Sequence, residues 1–433
     1  MIVVVGGGIT GLAIGWELQR AGAEVLVLEA AERAGGVIRS AEVDGRVLDW
    51  GPQRARMTPS FAKLVDDLDL AQDVETAPPG LDLFIFRDGG LRRVPFTLGD
   101  FARSDLVGLG PKLRLLVEPV TAGAKDSERV SDYFRRKIGG DLYETLVGPL
   151  FGGLYGSDPA DMEVGLVLSD VLRRMGVGRS LVLALARGGW GRSFSAACSF
   201  RGGMQALTDA FAETLGERLK LASGVRSVSR SGCGWAVTLM HDESPIEAEQ
   251  VVLAAPAGAT SSLLADVAPS AAEAIGGLRY NPLAVVHLDS DTELPGLGFQ
   301  VSLGEPGSLL RGVTFNTNLF ERPNLYTAFL GGSRNPEVAT MSAEALAQAA
   351  VDGFRRTTGY EASPLAVEQT RMPAWDMSWK ALDGLSLPDG LHVTGNWWSR
   401  PGLPGRLDEA RRVAGALVGA PDASAYMAPS RVR

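Results

Sequence analysis

The chain opens on four consecutive apolar residues, Ile2 to Val5, and glycines follow at once. Apolar residues then recur at helical spacing from about Gly11 to Ala21, and a second apolar run covers Val25 to Leu28. Neither run alternates with polar residues, which is typical of strands that are covered on both faces. The opening therefore predicts a βαβ unit with a parallel sheet.

Two later runs have the same unbroken apolar character, Gln250 to Ala255 and Leu391 to Thr394, and we assign them to the same sheet. A chain of 433 residues is too long for one ordinary core, so two or three domains are expected. Residues 100–195 show helical spacing, as in Leu106 to Val117 and Val130 to Leu146, whereas residues 280–330 carry β-branched and aromatic runs broken by Pro and Gly. The prediction is an α/β fold with a Rossmann-like nucleotide-binding domain assembled from discontinuous segments (1–75, 196–260 and 385–433), a mixed-sheet substrate-binding domain (76–99 and 261–384) and a helical subdomain (100–195).

Composition narrows the function classes. The net charge of −9 argues against nucleic acid, whose binding relies on Lys and Arg. Two cysteines, Cys198 and Cys233, and three scattered histidines offer no disulfide framework and no metal site, so redox chemistry would need an organic cofactor. We read no membrane span and no signal peptide, and expect a cytoplasmic protein; peripheral membrane contact and oligomeric state stay open.

The glycine turn carries a nucleotide-binding motif. Gly6, Gly8 and Gly11 form G-x-G-x-x-G between the first strand and the first helix. In that setting Gly6 permits the tight turn, Gly8 lets the backbone approach a pyrophosphate, and Gly11 allows close packing of helix on strand. Glu29 ends the second strand, where a carboxylate is expected to accept hydrogen bonds from ribose hydroxyls. The sequence thus predicts a dinucleotide site, without separating NAD from FAD.

Further segments resemble the amine-oxidase-like flavoprotein superfamily. After Glu29 comes Arg33-Ala-Gly35-Gly36-Val37, similar to that superfamily's second glycine pair, followed by Asp49-Trp50-Gly51-Pro52. The resemblance implies FAD, with these residues at the cofactor together with Gly395, Gly402 and Leu403, whose segments bring backbone amides to the flavin in relatives. Val225 resembles the residue whose backbone pairs with adenine, although a plain strand valine fits too. No cysteine lies in the C-terminal flavin segment, so noncovalent FAD is expected.

The middle of the chain resembles the protoporphyrinogen and coproporphyrinogen oxidases within that superfamily. Matching segments occur in family order: Gly110-Pro-Lys-Leu-Arg-Leu-Leu, Ser131-Asp-Tyr-Phe-Arg-Arg-Lys-Ile-Gly, Gly152-Gly153-Leu-Tyr-Gly-Ser-Asp-Pro, Arg201-Gly-Gly-Met-Gln-Ala-Leu and Leu330-Gly331-Gly332. The resemblance implies a flavin oxidase that removes six electrons from a porphyrinogen in haem biosynthesis by hydride transfer to flavin N5, with O2 as acceptor and H2O2 as by-product. It nominates no catalytic base.

The same resemblance suggests substrate residues. Gly153 would lie against the tetrapyrrole, and Phe299 and Phe329 would pack on it; a helix-ending glycine and plain core aromatics are the alternatives. Relatives are expected to carry a basic or amide residue where this chain has Leu83, which leaves the propionate partner open. Nearby substitutes are Arg54, Arg56, Arg87, Arg92 and Arg93, unless these are ordinary solvated arginines.

Other departures bear on the substrate. Trp375 and Trp379 stand where relatives often read Tyr and His, and Arg400-Pro401 replaces Gly-Val before the flavin-facing loop. A flavin amine oxidase is the leading alternative, with Trp397 and Trp398 as an aromatic wall beside the flavin. A carotenoid-desaturase-like enzyme and a flavin-binding protein without turnover are the others. The sequence does not decide between proto- and coproporphyrinogen.

Overall fold

A computed structural model describes residues 1–186, 196–232, 234–399 and 402–419. Cys233, Arg400 and Pro401 fall outside these ranges. Within them the strands are, in chain order, β1 (Ile2–Val5), β2 (Val25–Leu28), β3 (Ser40–Val43), β4 (Arg46–Asp49), β5 (Ala55–Arg56), β6 (Val74–Thr76), β7 (Leu83–Arg87), β8 (Gly90–Arg93), β9 (Ala197–Phe200), β10 (Leu219–Lys220), β11 (Val225–Ser231), β12 (Gly234–Leu239), β13 (Ile246–Ala248), β14 (Gln250–Leu253), β15 (Tyr280–Asp289), β16 (Gly298–Val301), β17 (Leu310–Phe315), β18 (Leu325–Gly331), β19 (Ser363–Pro373) and β20 (Leu391–Val393).

The α-helices of the same residues are α1 (Ile9–Arg20), α2 (Pro59–Asp67), α3 (Leu98–Arg103), α4 (Leu109–Arg114), α5 (Val130–Ile138), α6 (Gly140–Leu142), α7 (Gly148–Tyr155), α8 (Val164–Val167), α9 (Ser169–Arg174), α10 (Leu181–Ala186), α11 (Gln205–Leu215), α12 (Ala257–Leu264), α13 (Pro269–Gly276), α14 (Asn316–Leu319), α15 (Ala343–Thr358) and α16 (Leu403–Leu417). A 3-10 segment, Leu115–Val120, extends α4, and a π-helical turn, Tyr143–Val147, precedes α7. None of the helices that the structure describes is both long and apolar enough to cross a membrane.

The predicted nucleotide sheet is present. Five parallel strands lie in the order β10-β2-β1-β14-β20, with Ile2 paired to both Val25 and Gln250, and Leu253 paired to Val393. This confirms that the separated apolar runs share one sheet, although two of the strands end one or two residues earlier than predicted. Helix α1 packs on one side of this sheet against α11 and α16. The carboxyl ends of β1, β14 and β20 therefore meet at one edge, where α/β sheets bind their ligands.

A mixed sheet of seven strands forms the second layer, in the order β19-β15-β18-β17-β16-β7-β8, with only β16 and β7 parallel. Helix α15 covers one of its faces; Ser342 caps the start of this helix, and Gly359 in the left-handed region ends it. Tyr326 and Phe354 pack edge to face between sheet and helix, 5.3 Å apart. Because side chains alternate along a strand, the residues between those of this core point to the opposite face, called here the cleft face.

The segment 98–186 is helical in short pieces rather than in long helices. Its interior contains one fully buried ion pair, Lys137 with Glu118 at 2.6 Å. Glu118 also accepts hydrogen bonds from the Ser180 hydroxyl and the Leu181 amide, and Lys137 donates to the Thr121 hydroxyl. A buried pair of charges is tolerated only when such further bonds complete it, and here they join three helical pieces.

Candidate functional site

The glycine turn is shaped for a nucleotide. Gly6 has φ of +114°, and a Cβ on it would lie 2.8 Å from the Ala254 carbonyl oxygen. A Cβ on Gly11 would lie 1.9 Å from the Gly6 carbonyl oxygen, so helix α1 can pack this closely on the turn only because residue 11 is a glycine. Gly8 differs, because the space where its Cβ would point is open to 4 Å. That open space lies at the start of the twelve-residue α1, whose first turn has no acidic residue and no side-chain cap. A helix N-terminus of this kind fits a pyrophosphate.

Glu29 closes the turn from the other side. Its carboxylate accepts hydrogen bonds from the Gly7 amide at 2.6 Å and the Ala31 amide at 2.8 Å. The side chain is half-buried at the carboxyl end of β2, and each oxygen retains acceptor capacity. Val225 lies close by, since the preceding Gly224 would place a Cβ 3.5 Å from the Ala30 Cβ. The predicted ribose and adenine residues are thus neighbours.

The second glycine pair lies directly on the first. The Gly35 amide donates to the Gly7 carbonyl at 2.8 Å, and a Cβ on Gly36 would lie 3.2 Å from the Gly8 Cα. Arg33 holds this loop by donating to the carbonyls of Gly36 and Ile38. Val37 remains exposed.

Gly51 packs against the glycine-pair loop, where a Cβ on it would meet the Val37 carbonyl oxygen at 2.3 Å. The segment 49–54 therefore runs from the nucleotide elements toward the seven-stranded sheet. Asn316 donates to the Gln53 amide oxygen at 3.5 Å and to the Thr327 hydroxyl at 2.8 Å, and that hydroxyl lies 3.0 Å from His287 Nδ1. Burial lowers the pKa of His287 to about 4, so its ring is neutral at physiological pH.

The C-terminal segment completes the edge of the sheet. Gly395 has φ of +138°, and its carbonyl accepts a 2.9 Å hydrogen bond from Arg406, a half-buried residue of α16 whose pKa is lowered to about 10 by partial desolvation. The Tyr280 hydroxyl donates to Asn396 at 3.0 Å, which ties this segment to the start of β15. Gly402 precedes α16 with φ of +97°, and Leu403 is buried in the first turn of that helix.

The residues present fit a bound dinucleotide. Besides the open space at Gly8, four buried polar atoms in the segments next to the glycine turn and the seven-stranded sheet have no hydrogen-bond partner in the described part of the chain: Gln53 Nε2, Arg54 Nη1, Asn316 Oδ1 and Thr394 Oγ1. Native proteins seldom leave such atoms unpaired unless a ligand or water completes them.

The predicted substrate residues separate. Gly153, in α7, lies on the cleft face, where a Cβ would come 2.6 Å from Gln300 Oε1. Phe329 is half-buried and alternates with the core residues Ala328 and Leu330, so it points to the cleft face as well. Phe299 points the other way and packs edge to face on Phe315, 6.0 Å away, in the core beneath α15. The structure thus places Gly153 and Phe329 on one face of the sheet and Phe299 on the other.

A cleft runs between α7 and the sheet beside Gly153. Glycines form much of its wall, and two arginines line it; its residues are Pro149, Gly152, Gly153, Gly156, Ser157, Val301, Leu303, Arg311, Gly331, Gly332, Ser333 and Arg334. Arg311 donates to the Gly331 carbonyl at 2.8 Å and to Asn335, and burial lowers its pKa. Arg334 pairs with Asp158 at 2.6 Å. Sequence reasoning missed Arg311 and Gln300, and the available signal for Arg311 was a charge inside an otherwise apolar strand.

The arginines proposed as substitutes for Leu83 mostly have other partners. Arg87 pairs with Asp141, Arg92 with Asp105 and Arg93 with Asp82, at 2.7, 2.7 and 3.1 Å. Leu83 itself packs with Ile85 and Leu106 in a small apolar cluster. Arg56 is exposed, whereas Arg54 reaches inward.

The tryptophans pack with one another. Trp375 stacks on Trp379 with ring centroids 5.3 Å apart, and Trp397 is fully buried and donates to the Ala255 carbonyl at 3.0 Å. Trp398 is half-buried and lines a different cleft, between β20 and α16. The two residues therefore do not form one wall beside the cleft at Gly153.

The fold and the glycine turn together define an α/β dinucleotide-binding protein with a second, seven-stranded sheet. Residues 9–418 match the family model described as flavin containing amine oxidoreductase, and the chain belongs to that family. The protein is accordingly a flavoenzyme, and its cofactor is the dinucleotide form of flavin, FAD.

The individual relatives share between about a fifth and a quarter of their aligned residues with this chain. The chain is 26% identical to the chloroplastic protoporphyrinogen oxidase of Nicotiana tabacum, over 96% of this chain and 85% of the relative, and 22% identical to the coproporphyrinogen III oxidase of Bacillus subtilis, over 95% and 96%. Among solved structures, an Exiguobacterium sp. 255-15 protein assigned as a protoporphyrinogen oxidase matches with a TM-score of 0.80 at 22% identity (96% of this chain, 98% of that one). Putrescine oxidase with bound putrescine matches at 0.72 and 18% identity, over 96% and 98%. At these identities the structural matches show the fold alone.

Proposed function

We propose that this protein oxidises a porphyrinogen to the porphyrin in haem biosynthesis, with O2 as the electron acceptor and H2O2 as the by-product. The observation that carries the proposal is the glycine-walled cleft between α7 and the cleft face, in a chain whose near-full-length relatives carry the names of porphyrinogen oxidases. Glycines add no side-chain bulk to the wall of this cleft, and Phe329 on the cleft face would give a flat ring an aromatic contact.

The residues of the chain bind and orient in this proposal. Bound FAD supplies the acceptor for the electrons that leave the substrate. Gly6, Gly8, Gly11, Glu29, Gly35 and Gly36 would hold its nucleotide part, and the 395–399 segment, fixed by Arg406 and Tyr280, would adjoin its flavin part. In this proposal the side chains at the site bind and orient the substrate and exclude water, and His287 is neutral and hydrogen-bonded with Thr327.

Carboxylate groups of the substrate need cations. Arg311 has no carboxylate within ion-pair distance among the described residues, unlike Arg87, Arg92 and Arg93, and it lines the cleft beside Gly153. Its planar guanidinium suits a propionate. We assign Arg311 as a propionate-binding residue in place of the missing cation at Leu83.

The amine oxidase of the same family is the second candidate, favoured by the family model itself. Against it, Trp397 is fully buried and Trp398 lines a different cleft from the one at Gly153. Oxygen consumption by the purified holoprotein, measured with protoporphyrinogen, coproporphyrinogen and a panel of primary amines and polyamines, separates the two. Turnover of a porphyrinogen with rising porphyrin fluorescence is expected; turnover of an amine alone would replace the proposal with the amine oxidase.

We propose that FAD is held noncovalently. Cys198 is buried in β9, its thiol lies against the Ala55 carbonyl, and burial raises its pKa to about 11, all of which disfavour a flavin thioether. Acid precipitation is expected to release all of the yellow colour, and colour retained in the pellet would contradict this.

Contact with a membrane surface is proposed for the α4 region. Leu109, Leu113, Leu116 and Val120 are each more than half exposed, and they follow one another at intervals of three or four residues. Among the described residues Lys112 donates to the carbonyls of Ala102 and Ser104 and forms no ion pair, which leaves its positive charge without a counter-charge for an anionic headgroup to meet. Cosedimentation with vesicles containing phosphatidylglycerol is expected, and a double change of Leu113 and Leu116 to Glu should abolish it.

A further inference from the structure

Arg54 occupies a junction between the two functional surfaces. On one side Gly51 contacts the loop of the second glycine pair; on the other, Gln53 meets Asn316 at the end of β17. The next residue, Ala55, is fixed by pairing with Cys198 of β9. Arg54 therefore lies in the segment that joins the nucleotide elements to the seven-stranded sheet, and its Nη1 atom is buried there.

The Arg54 guanidinium is incomplete there. Its Nη1 atom is buried, and it has no hydrogen-bond partner among the residues that the structure describes. A guanidinium carries five N–H donors and stays charged in proteins, and burying such a charge without a counter-charge is costly. Other arginines of the same set show the contrast, because Arg87 and Arg92 each have a carboxylate partner.

The surroundings of Arg54 are positive rather than compensating. Burial and the neighbouring cation Arg56 lower the pKa of Arg54 to about 10, which leaves the side chain protonated at neutral pH. Gln53 Nε2, one residue away, is a second buried donor with no partner in the described ranges. A buried cationic donor without an acceptor indicates that a group of negative charge completes it.

We propose that Arg54 binds an oxyanion in this space, either a phosphate of the bound FAD or a carboxylate of the substrate. A guanidinium fork suits both, since each presents two oxygens in one plane to parallel N–H donors. The carboxylate arm rests on the proposed function, whereas the phosphate arm needs only the flavin. Arg54 is thus a binding residue beyond the glycine motifs and Glu29.

The test uses full-length holoprotein with Arg54→Met, which keeps a long apolar side chain, and Arg54→Lys, which keeps the charge without the fork. Arg56→Met, an exposed arginine two residues away, is the matched control. FAD dissociation is followed by the fluorescence of released FAD, and porphyrin binding is measured with protoporphyrin and with its dimethyl ester, which lacks the carboxylates. Thermal unfolding in saturating FAD checks that each variant is folded.

For Arg54→Met we expect the affinity for either FAD or protoporphyrin to fall at least tenfold. The fall should be smaller for Arg54→Lys and absent for Arg56→Met. Weaker FAD binding identifies the phosphate. Weaker binding of protoporphyrin, with the ester and FAD unchanged, identifies the carboxylate. A folded Arg54→Met protein that binds all three as the wild type does would overturn the proposal, even if the wild type oxidises porphyrinogens. A wild type that oxidises no porphyrinogen would refute the proposed function and leave the FAD measurement to decide the role of Arg54.

Discussion

The indole N–H of Trp379 donates a hydrogen bond of 2.9 Å to the backbone carbonyl of Trp397. Both residues are fully buried, and Trp397 lies in the segment that begins at Gly395 and is clamped by Arg406. Trp379, which departs from the expected family residue, thus stabilises the C-terminal segment 395–399 through a hydrogen bond to its backbone.

Trp379→Phe should therefore loosen this segment. The replacement keeps an aromatic ring against Trp375 but leaves the Trp397 carbonyl without its donor, which costs about 1 to 3 kcal/mol. The free energy of unfolding, measured in urea, should fall by that amount, and FAD should dissociate faster. Trp375→Phe retains the bond and serves as the control; equal losses in the two variants would mean that packing alone is responsible.

Glu29→Ala should weaken FAD binding at least tenfold. The variant lacks the carboxylate, and with it the bonds to the Gly7 and Ala31 amides and any bond to the ribose. Each charge-assisted bond contributes about 1.5 to 3 kcal/mol. A loss of about 1.4 kcal/mol raises the dissociation constant tenfold. Fluorescence titration of FAD measures the constant. Glu32→Ala, which changes an exposed carboxylate three residues away, should leave it unaltered. An unchanged dissociation constant for FAD in Glu29→Ala would mean that Glu29 does not contribute to FAD binding.

Gly153→Leu should abolish porphyrinogen oxidation and leave the flavin spectrum intact. A side chain at position 153 must displace the Gln300 amide, whose oxygen lies 2.6 Å from the Cβ site, and then fills the cleft. Gly258→Ala, in α12 and outside the cleft, meets nothing within 4 Å and should remain active. Steady-state porphyrin fluorescence with FAD absorbance measures both effects, and full activity of Gly153→Leu would move the substrate away from this cleft.

Acid should destabilise the protein partly through His287. Its pKa in the folded protein is about 4 because burial disfavours the charged ring, while an unfolded histidine titrates near 6.5. The unfolded state binds the extra proton first, so stability is complete above about pH 6.5, falls between 6.5 and 4, and is flat below. The loss amounts to about 3 kcal/mol. The free energy of unfolding of His287→Gln, measured in urea, should fall between pH 7 and pH 4 by that much less than the wild-type value falls. An identical fall in the two proteins would exclude His287 as the cause.

The nucleotide half of the molecule could be predicted from the sequence, because local rules determine it. A tight turn that only glycine permits, a helix beginning at an open Gly8 and a carboxylate at the end of β2 all lie within 29 residues. The separated strands β14 and β20 were also recognisable, since unbroken apolar runs require burial on both faces. Short helical pieces replaced the longer predicted ones between residues 98 and 186, where packing overrides spacing.

The substrate side was decided by the tertiary structure. Alternation along β16 shows that Phe299 and Gln300 point opposite ways, but it cannot tell which face α15 covers, and the helix took the face of Phe299. Likewise, five arginines near Leu83 read alike in the sequence, and only the folded chain brings carboxylates to Arg87, Arg92 and Arg93 while it leaves Arg54 Nη1 without a partner among the described residues. The physical reason is the distance along the chain over which each interaction acts. Backbone geometry is determined by neighbouring residues, whereas the buried face of a strand and the partner of a charge depend on segments that meet only after folding.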